Sequence, residues 1–165
     1  MQTIISKLSK SSHDRFIFKL NSENLVNEIK NILLKHTGSK EINELNKLHL
    51  FLKKEEINQF RLNCFKKINL IDNLKQKIYD DITPHIFPLM GMDLCIQKNL
   101  NLSIQMPYDE TSLLTKHTDY ESGDSPFQWV VWIPLTDTYE SNAMYMNNSD
   151  NSSYNPIPVK KGNFL

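Results

Sequence analysis

Four glycines, two cysteines and two arginines are all that 165 residues contain of those types. Each shortage excludes something. Cys64 and Cys95 are too few and too far apart for a disulfide-dense secreted scaffold or a cysteine-rich zinc site, and they read as reduced, buried thiols of a cytoplasmic protein. Charge of either sign is not in excess: 19 basic side chains face 19 acidic ones, so the basic footprint of a nucleic-acid binder is missing. No apolar run approaches the roughly 20 residues of a membrane span. The first residues, MQTIISKLSKSSHDR, carry no apolar stretch of the kind a secretory signal needs. There is no phosphate-binding glycine loop, no nucleophile-elbow motif and no internal repeat. What remains is one ordinary domain. The hydrophobic fraction is 39% and the mean hydropathy −0.46, and the length is enough for a single core.

The hydrophobic spacing changes period near residue 91. Before it, the pattern is helical. Ser22 is placed to cap a helix with Leu25, Ile29, Ile32 and Leu33 on one face and Gly38 at its end. A second helix is expected from Ser39, carrying Ile42, Leu45, Leu48 and Leu52. A third carries Ile57, Phe60, Cys64, Phe65 and Ile68. A fourth uses Leu74, Ile78 and Ile82, with Pro84 and Pro88 bending or ending it. From Leu94 to Met106 the period is two. Leu94, Ile96, Lys98, Leu100, Leu102, Ile104 and Met106 share one face, and uncharged polar residues share the other. That polar face suits either a substrate cavity or a solvent-exposed sheet. Pro107 to Glu110 read as a turn, and Ser112–Thr115, Phe127–Leu135 and Asn142–Met146 as further strands. Thr136–Ser141 and Asn147–Asn155 read as loops. Lys160–Asn163 make a last turn, and Phe164–Leu165 begin a strand. The expectation is an α+β domain over residues 1–165, helical over 1–91 and a jelly roll of short strands over 92–165.

The segment His117-Thr118-Asp119 carries the chemistry. On a strand, residues i and i+2 point the same way, so His117 and Asp119 can face one ion. An imidazole and a carboxylate are two of the three ligands in a two-His, one-carboxylate Fe(II) site, which leaves the opposite face of the metal open. A third ligand should be a second His downstream, and no His follows His117.

The run LLTKHTDYESGDSPFQWVVWIPLTDTYESNAMYM, residues 113–146, resembles the Fe(II)/2-oxoglutarate-dependent oxygenases. Its strand into His-x-Asp, glycine-containing loop, apolar strand with Trp and Pro-Leu-Thr-Asp, and Ser-Asn before another apolar strand follow that family's order. The likeness is greatest to bacterial oxygenases similar to the streptomycin-biosynthesis dioxygenase, and more distant to phytanoyl-CoA dioxygenases. It extends over residues 45–165 and includes the strand KNLNLSIQMP.

The resemblance implies a jelly roll of the cupin kind, Fe(II) as cofactor and 2-oxoglutarate as cosubstrate. It implies hydroxylation of a small molecule or sugar-derived metabolite. His117 and Asp119 would bind Fe(II). Trp132 would line the 2-oxoglutarate pocket or, on the plain reading, pack in the core. Gln105 and Asn142 would lie near that pocket or serve local turns. The loop from Tyr120 to Pro126, with Tyr120 and Ser125, would border the substrate.

The chain departs from the family in its distal half. The second His and the arginine that grips the cosubstrate's far carboxylate are expected after a segment like VKKGNFL, on later strands. Here His13, His36, His49 and His85, and also Arg15 and Arg61, all lie in the helical half. The preferred explanation is the N-terminal part of a longer oxygenase. The others are a degenerate homologue and a barrel completed by a second chain at the exposed edge strand, where self-association is equally expected. Outside the enzyme class stand a non-catalytic jelly-roll binding module and a helical interaction protein built on residues 22–88.

Overall fold

Helix α1, Glu23–Lys35, forms where Leu25, Ile29 and Leu33 recur at one-turn spacing, and it buries that stripe. The computed structural model describes residues 17–21, 23–35, 44–113, 115–117, 119–125, 127–147 and 153–165. The expected cap Ser22, the stop Gly38 and the helix start at Ser39 to Ile42 lie outside the described residues. The second expected helix is observed only as a short, tighter turn over Leu45–Leu50, with Leu48 buried. Helix α2, Ile57–Ile68, buries Ile57, Phe60, Cys64 and Ile68.

Helix α3, Leu74–Met90, runs through both of its prolines. Pro88 lies only two residues before the end, and Pro84 is exposed at the surface, where a carbonyl that loses its helical donor stays accessible. Gly91 stops the helix. It takes φ 91°, a conformation open to glycine, and its N–H closes the last turn on the Phe87 carbonyl at 2.9 Å. The exposed ion pair between Lys77 Nζ and Glu28 Oε2, at 2.8 Å, joins α3 to α1; at the surface it contributes at most about 1 kcal/mol.

Beyond Gly91 the fold departs from the expected row of strands. Leu94–Met106 is not part of a sheet among the described residues. Its alternation survives from Leu100 onward: Leu100, Leu102, Ile104 and Met106 pack on the helices, while Asn101, Ser103 and Gln105 face out. Residues 95–99, including Cys95, are exposed, which corrects the expectation that both thiols are buried.

Helix side chains take the place of a neighbouring strand along this segment. Asn69 binds the backbone of Leu100, Lys75 Nζ reaches the Gln97 and Lys98 carbonyls, and Arg61 Nε donates to the Ile104 carbonyl at 2.8 Å. Backbone polar groups at the edge of a core need partners, and here α2 and α3 supply some of them.

Two further expected strands are also absent among the described residues. Glu110–Ser112 is a short helical turn capped by Asp109, whose side chain accepts from the Thr111 N–H. Phe127–Leu135 is irregular, with one paired position: Trp132 and Leu165 exchange N–H···O bonds of 2.9 and 3.0 Å.

Two small antiparallel sheets complete the fold. Strand β1, Phe18–Lys19, pairs with β4, Asn163–Phe164. Strand β2, Met144–Asn147, pairs with β3, Tyr154–Ile157. Thr138 extends the second sheet by a bridge to Val159, doubled by its hydroxyl, which donates to the Val159 carbonyl and accepts from its N–H. The C-terminal strand has a neighbour on each side, β1 at Phe164 and Trp132 at Leu165. The open edge expected there is therefore covered at those positions.

The main core lies among α1, α2, α3 and the 100–106 segment. A smaller cluster of Leu20, Val26 and Phe164 sits under β1 and β4, and Ile82, Ile133 and Leu135 touch both. The architecture is α+β, and the described strands do not close a barrel. No described helix is long and apolar enough to cross a membrane.

Candidate metal-binding site

His117 and Asp119 come together. The Nε2 of His117 lies 3.6 Å from Oδ1 of Asp119, and both side chains are part exposed. The backbone that achieves this is not the expected strand. His117 sits in an irregular loop, and Asp119 opens a short helical turn, Asp119–Ser122. The Asp124 N–H closes on the Asp119 carbonyl at 3.2 Å, and Gly123 supplies the positive φ (96°) that reverses the chain between them.

The ring of His117 is oriented by a second contact. Its Nδ1 lies 2.6 Å from the Thr115 carbonyl. A carbonyl only accepts, so Nδ1 carries the proton and donates. The neutral ring then presents a lone pair at Nε2, the atom that faces Asp119. Metal-bound histidines commonly donate their other N–H in this way, which fixes tautomer and orientation.

The donor set fits part of a metal centre. Bonds of about 2.1 Å place two donors at right angles about 3 Å apart, and tetrahedral donors about 3.4 Å apart. The observed 3.6 Å needs only a small closing movement. An imidazole nitrogen with a carboxylate oxygen suits Fe(II) and other divalent first-row ions. Among the described residues no third His, Cys, Asp or Glu joins them.

Lys116, immediately before His117, turns toward the second sheet. Its Nζ lies 4.4 Å from the ring centre of Tyr154 on β3, a contact that ties the loop to the hairpin. Sequence spacing gave no signal for this contact or for the Thr115 carbonyl, because both depend on the loop path.

Most of the other expected site residues lie on other segments of the chain. Trp132 is half-buried and engaged through its backbone with Leu165. Gln105 is exposed on the outer side of the 100–106 segment. Asn142 is in a turn, where its Oδ1 accepts from the Tyr139 N–H at 2.6 Å and its Nδ2 donates to the Asp137 carbonyl. Ser125 is exposed, and its Oγ accepts from the Phe127 N–H. The backbone of Tyr120 belongs to the Asp119–Ser122 turn, and its side chain lies outside the described residues, as does Pro126. None of Trp132, Gln105, Asn142 and Ser125 is hydrogen-bonded to His117 or Asp119.

Arg61 is engaged elsewhere. Its Nη2 meets Oδ2 of Asp109 at 2.7 Å, its Nε the Ile104 carbonyl and its Nη1 the Asn58 side chain. Asp109 is buried, and hydrogen bonds from the Thr111 hydroxyl and then from Arg61 hold its carboxyl down at about 2.

No family model matches the chain, and no curated protein or solved structure matches it either.

Proposed function

We propose that His117 and Asp119 are two ligands of a mononuclear Fe(II) site, and that the protein is a 2-oxoglutarate-dependent dioxygenase. In this reading it hydroxylates a small molecule or sugar-derived metabolite. The fold this reading requires is a jelly roll, and the two small sheets described do not by themselves close one. The observation that carries the proposal is the His117 ring, anchored at Nδ1 on a carbonyl with Nε2 turned toward a carboxylate. The His-x-Asp pattern and the family likeness of residues 113–146 add to it.

The third ligand and the group that binds the cosubstrate's far carboxylate have to come from outside the described residues. When bound, the metal with its cosubstrate supplies the oxidising power for the C–H bond. The chain's own share is narrower. His117 and Asp119 hold the ion, Thr115 fixes the imidazole, and the Lys116–Tyr154 contact keeps the loop in place.

The test is Fe(II)-dependent turnover of 2-oxoglutarate to succinate, with titration of the full chain by Fe(II) under argon alongside it. His117→Ala and Asp119→Ala should each abolish turnover and weaken metal binding by at least about tenfold, as expected for loss of a first ligand. Turnover untouched by either substitution would remove these residues from the site.

A second reading is a degenerate, non-catalytic binding module on the same scaffold. The commitment of Arg61 to Asp109 and Ile104 favours it, because that guanidinium is not free to grip a dicarboxylate. Metal binding without 2-oxoglutarate turnover is its expected signature.

A further inference from the structure

Met106, Pro107, Tyr108 and Asp109 form a tight turn closed by the Asp109 N–H on the Met106 carbonyl at 3.3 Å. Proline suits the second position of such a turn. The third takes φ 60° and is occupied by Tyr108, where glycine or asparagine is favoured because a larger side chain strains the backbone. Neither end of the turn can relax. Met106 is buried in the core, and Asp109 is clamped by Arg61 and Thr111.

The turn sets Asp109 against Arg61, but the Tyr108 side chain itself returns nothing to the fold. The Tyr108 side chain is fully exposed, at 102%, and makes no hydrogen bond or ring contact among the described residues. A broken local rule without a compensating contact inside the chain points outward, to something the residue binds.

Tyr108 borders an open cleft of about 320 Å³ whose apolar lining includes Leu52, Ile57, Met106 and Pro107, with His49 and Lys54 as its basic groups. The carboxylate in its wall, Asp109, is already engaged at both oxygens by Thr111 and Arg61. Nearby Glu56 accepts from the Lys53 N–H. His49 and Lys54 form no ion pair among the described residues. An apolar floor, an unstacked phenol ring and two unopposed nitrogen donors define one chemical class of ligand.

We propose that this cleft binds a small carboxylic acid with a flat apolar body. The body lies on Ile57, Met106 and Pro107 beside Tyr108, and the carboxylate meets Lys54 and His49. None of these residues belongs to the His117 pair, so the proposal stands independently of the metal reading.

The probe is benzoate, titrated into the full chain and followed by amide and imidazole NMR shifts. Saturable shifts are expected at His49, Lys54 and Tyr108. Benzamide, the neutral counterpart, should bind about tenfold more weakly, and inorganic phosphate, which lacks the apolar body, should not saturate. Lys54→Met should weaken benzoate about fivefold.

Tyr108→Gly is the deciding variant. It should raise the denaturation midpoint by relieving the turn, which shows that it folds, and weaken benzoate about tenfold. Three results would overturn the proposal: a flat benzoate titration to about 50 mM, equal binding of benzamide, or full benzoate affinity in Tyr108→Gly.

Discussion

The side-chain amide of Asn69 and the backbone of Leu100 exchange two hydrogen bonds. Asn69 Oδ1 accepts from the Leu100 N–H at 2.7 Å, and Nδ2 donates to the Leu100 carbonyl at 3.0 Å. One residue at the end of a helix thus provides the pair of bonds that a neighbouring strand would otherwise give. The same Nδ2 also reaches the Phe65 carbonyl, which holds the amide in place.

Asn69→Ala removes that surrogate and leaves part-buried backbone groups at Leu100 without partners. The expected loss is about 1–3 kcal/mol of stability. Urea denaturation measures it. Amide exchange at Leu100 should accelerate beyond the global effect, and an unchanged rate there would show that the pair does not restrain the segment.

Acid should loosen the same region through Asp109. Its folded value of about 2 lies below the ordinary 3.8, so its contribution is complete well above 3.8. The contribution declines as pH falls below that value and is gone once pH has passed below about 2. Stability curves of the wild type and Asp109→Asn should differ at neutral pH and converge across that window. Parallel curves down to the lowest pH would show that the carboxylate charge is not used.

The two thiols should react in sequence. Cys64 is fully buried, and desolvation pushes its thiol up to about 11, whereas Cys95 is exposed. Iodoacetamide at pH 8 should alkylate Cys95 in the native protein, and Cys64 only on unfolding, as peptide mass spectrometry can read. The neutral Cys64 thiol also adds stability that is present below about pH 9 and declines above it, because its raised value makes ionisation in the fold unfavourable.

His85 packs between Phe18 and Phe164, with ring centres 4.9 and 5.5 Å away, and its Nε2 is buried without a hydrogen-bond partner among the described residues. His85→Phe keeps the ring contacts and removes the unsatisfied atom. Stability should rise by about 1 kcal/mol in urea denaturation. A fall would mean that the fold does use that nitrogen.

Local rules made the helices legible. Apolar spacing in α1, α2 and α3, and glycine at the end of α3, are properties of neighbouring residues and were readable at once. The alternation of Leu100, Leu102, Ile104 and Met106 was readable too, but its partner was not. Pairing depends on residues distant in sequence, and nothing marks Asn69 as a stand-in for a strand. The loop expected over Asn147–Asn155 gives way to strand β3 at Tyr154; Pro156, a residue that usually interrupts strands, is tolerated opposite Tyr145 in a two-stranded sheet, where an outer edge needs no donor.

The geometry of the His117–Asp119 pair was half legible. The i, i+2 spacing put His117 and Asp119 on one side, and they do approach each other. The route is a loop into a helical turn, and the Thr115 carbonyl that orients the ring could not be read from spacing. Asn142 illustrates the opposite case: a short polar side chain beside a turn bonds to the turn itself. Tyr108 was unreadable because a Pro-Tyr pair signals only a turn, and the sign of φ appears only with coordinates.

Phe18 pairs with Phe164, a partner far away in the sequence. On the ribosome, β1 is made well before β4 and cannot pair with it until the residues between them have emerged. Joining them closes a very large loop, an event that comes late and slowly compared with helix formation. Until then Leu20 and Val26 lack the cover of Phe164, and newly made chains carry a sticky apolar spot there, open to chaperones.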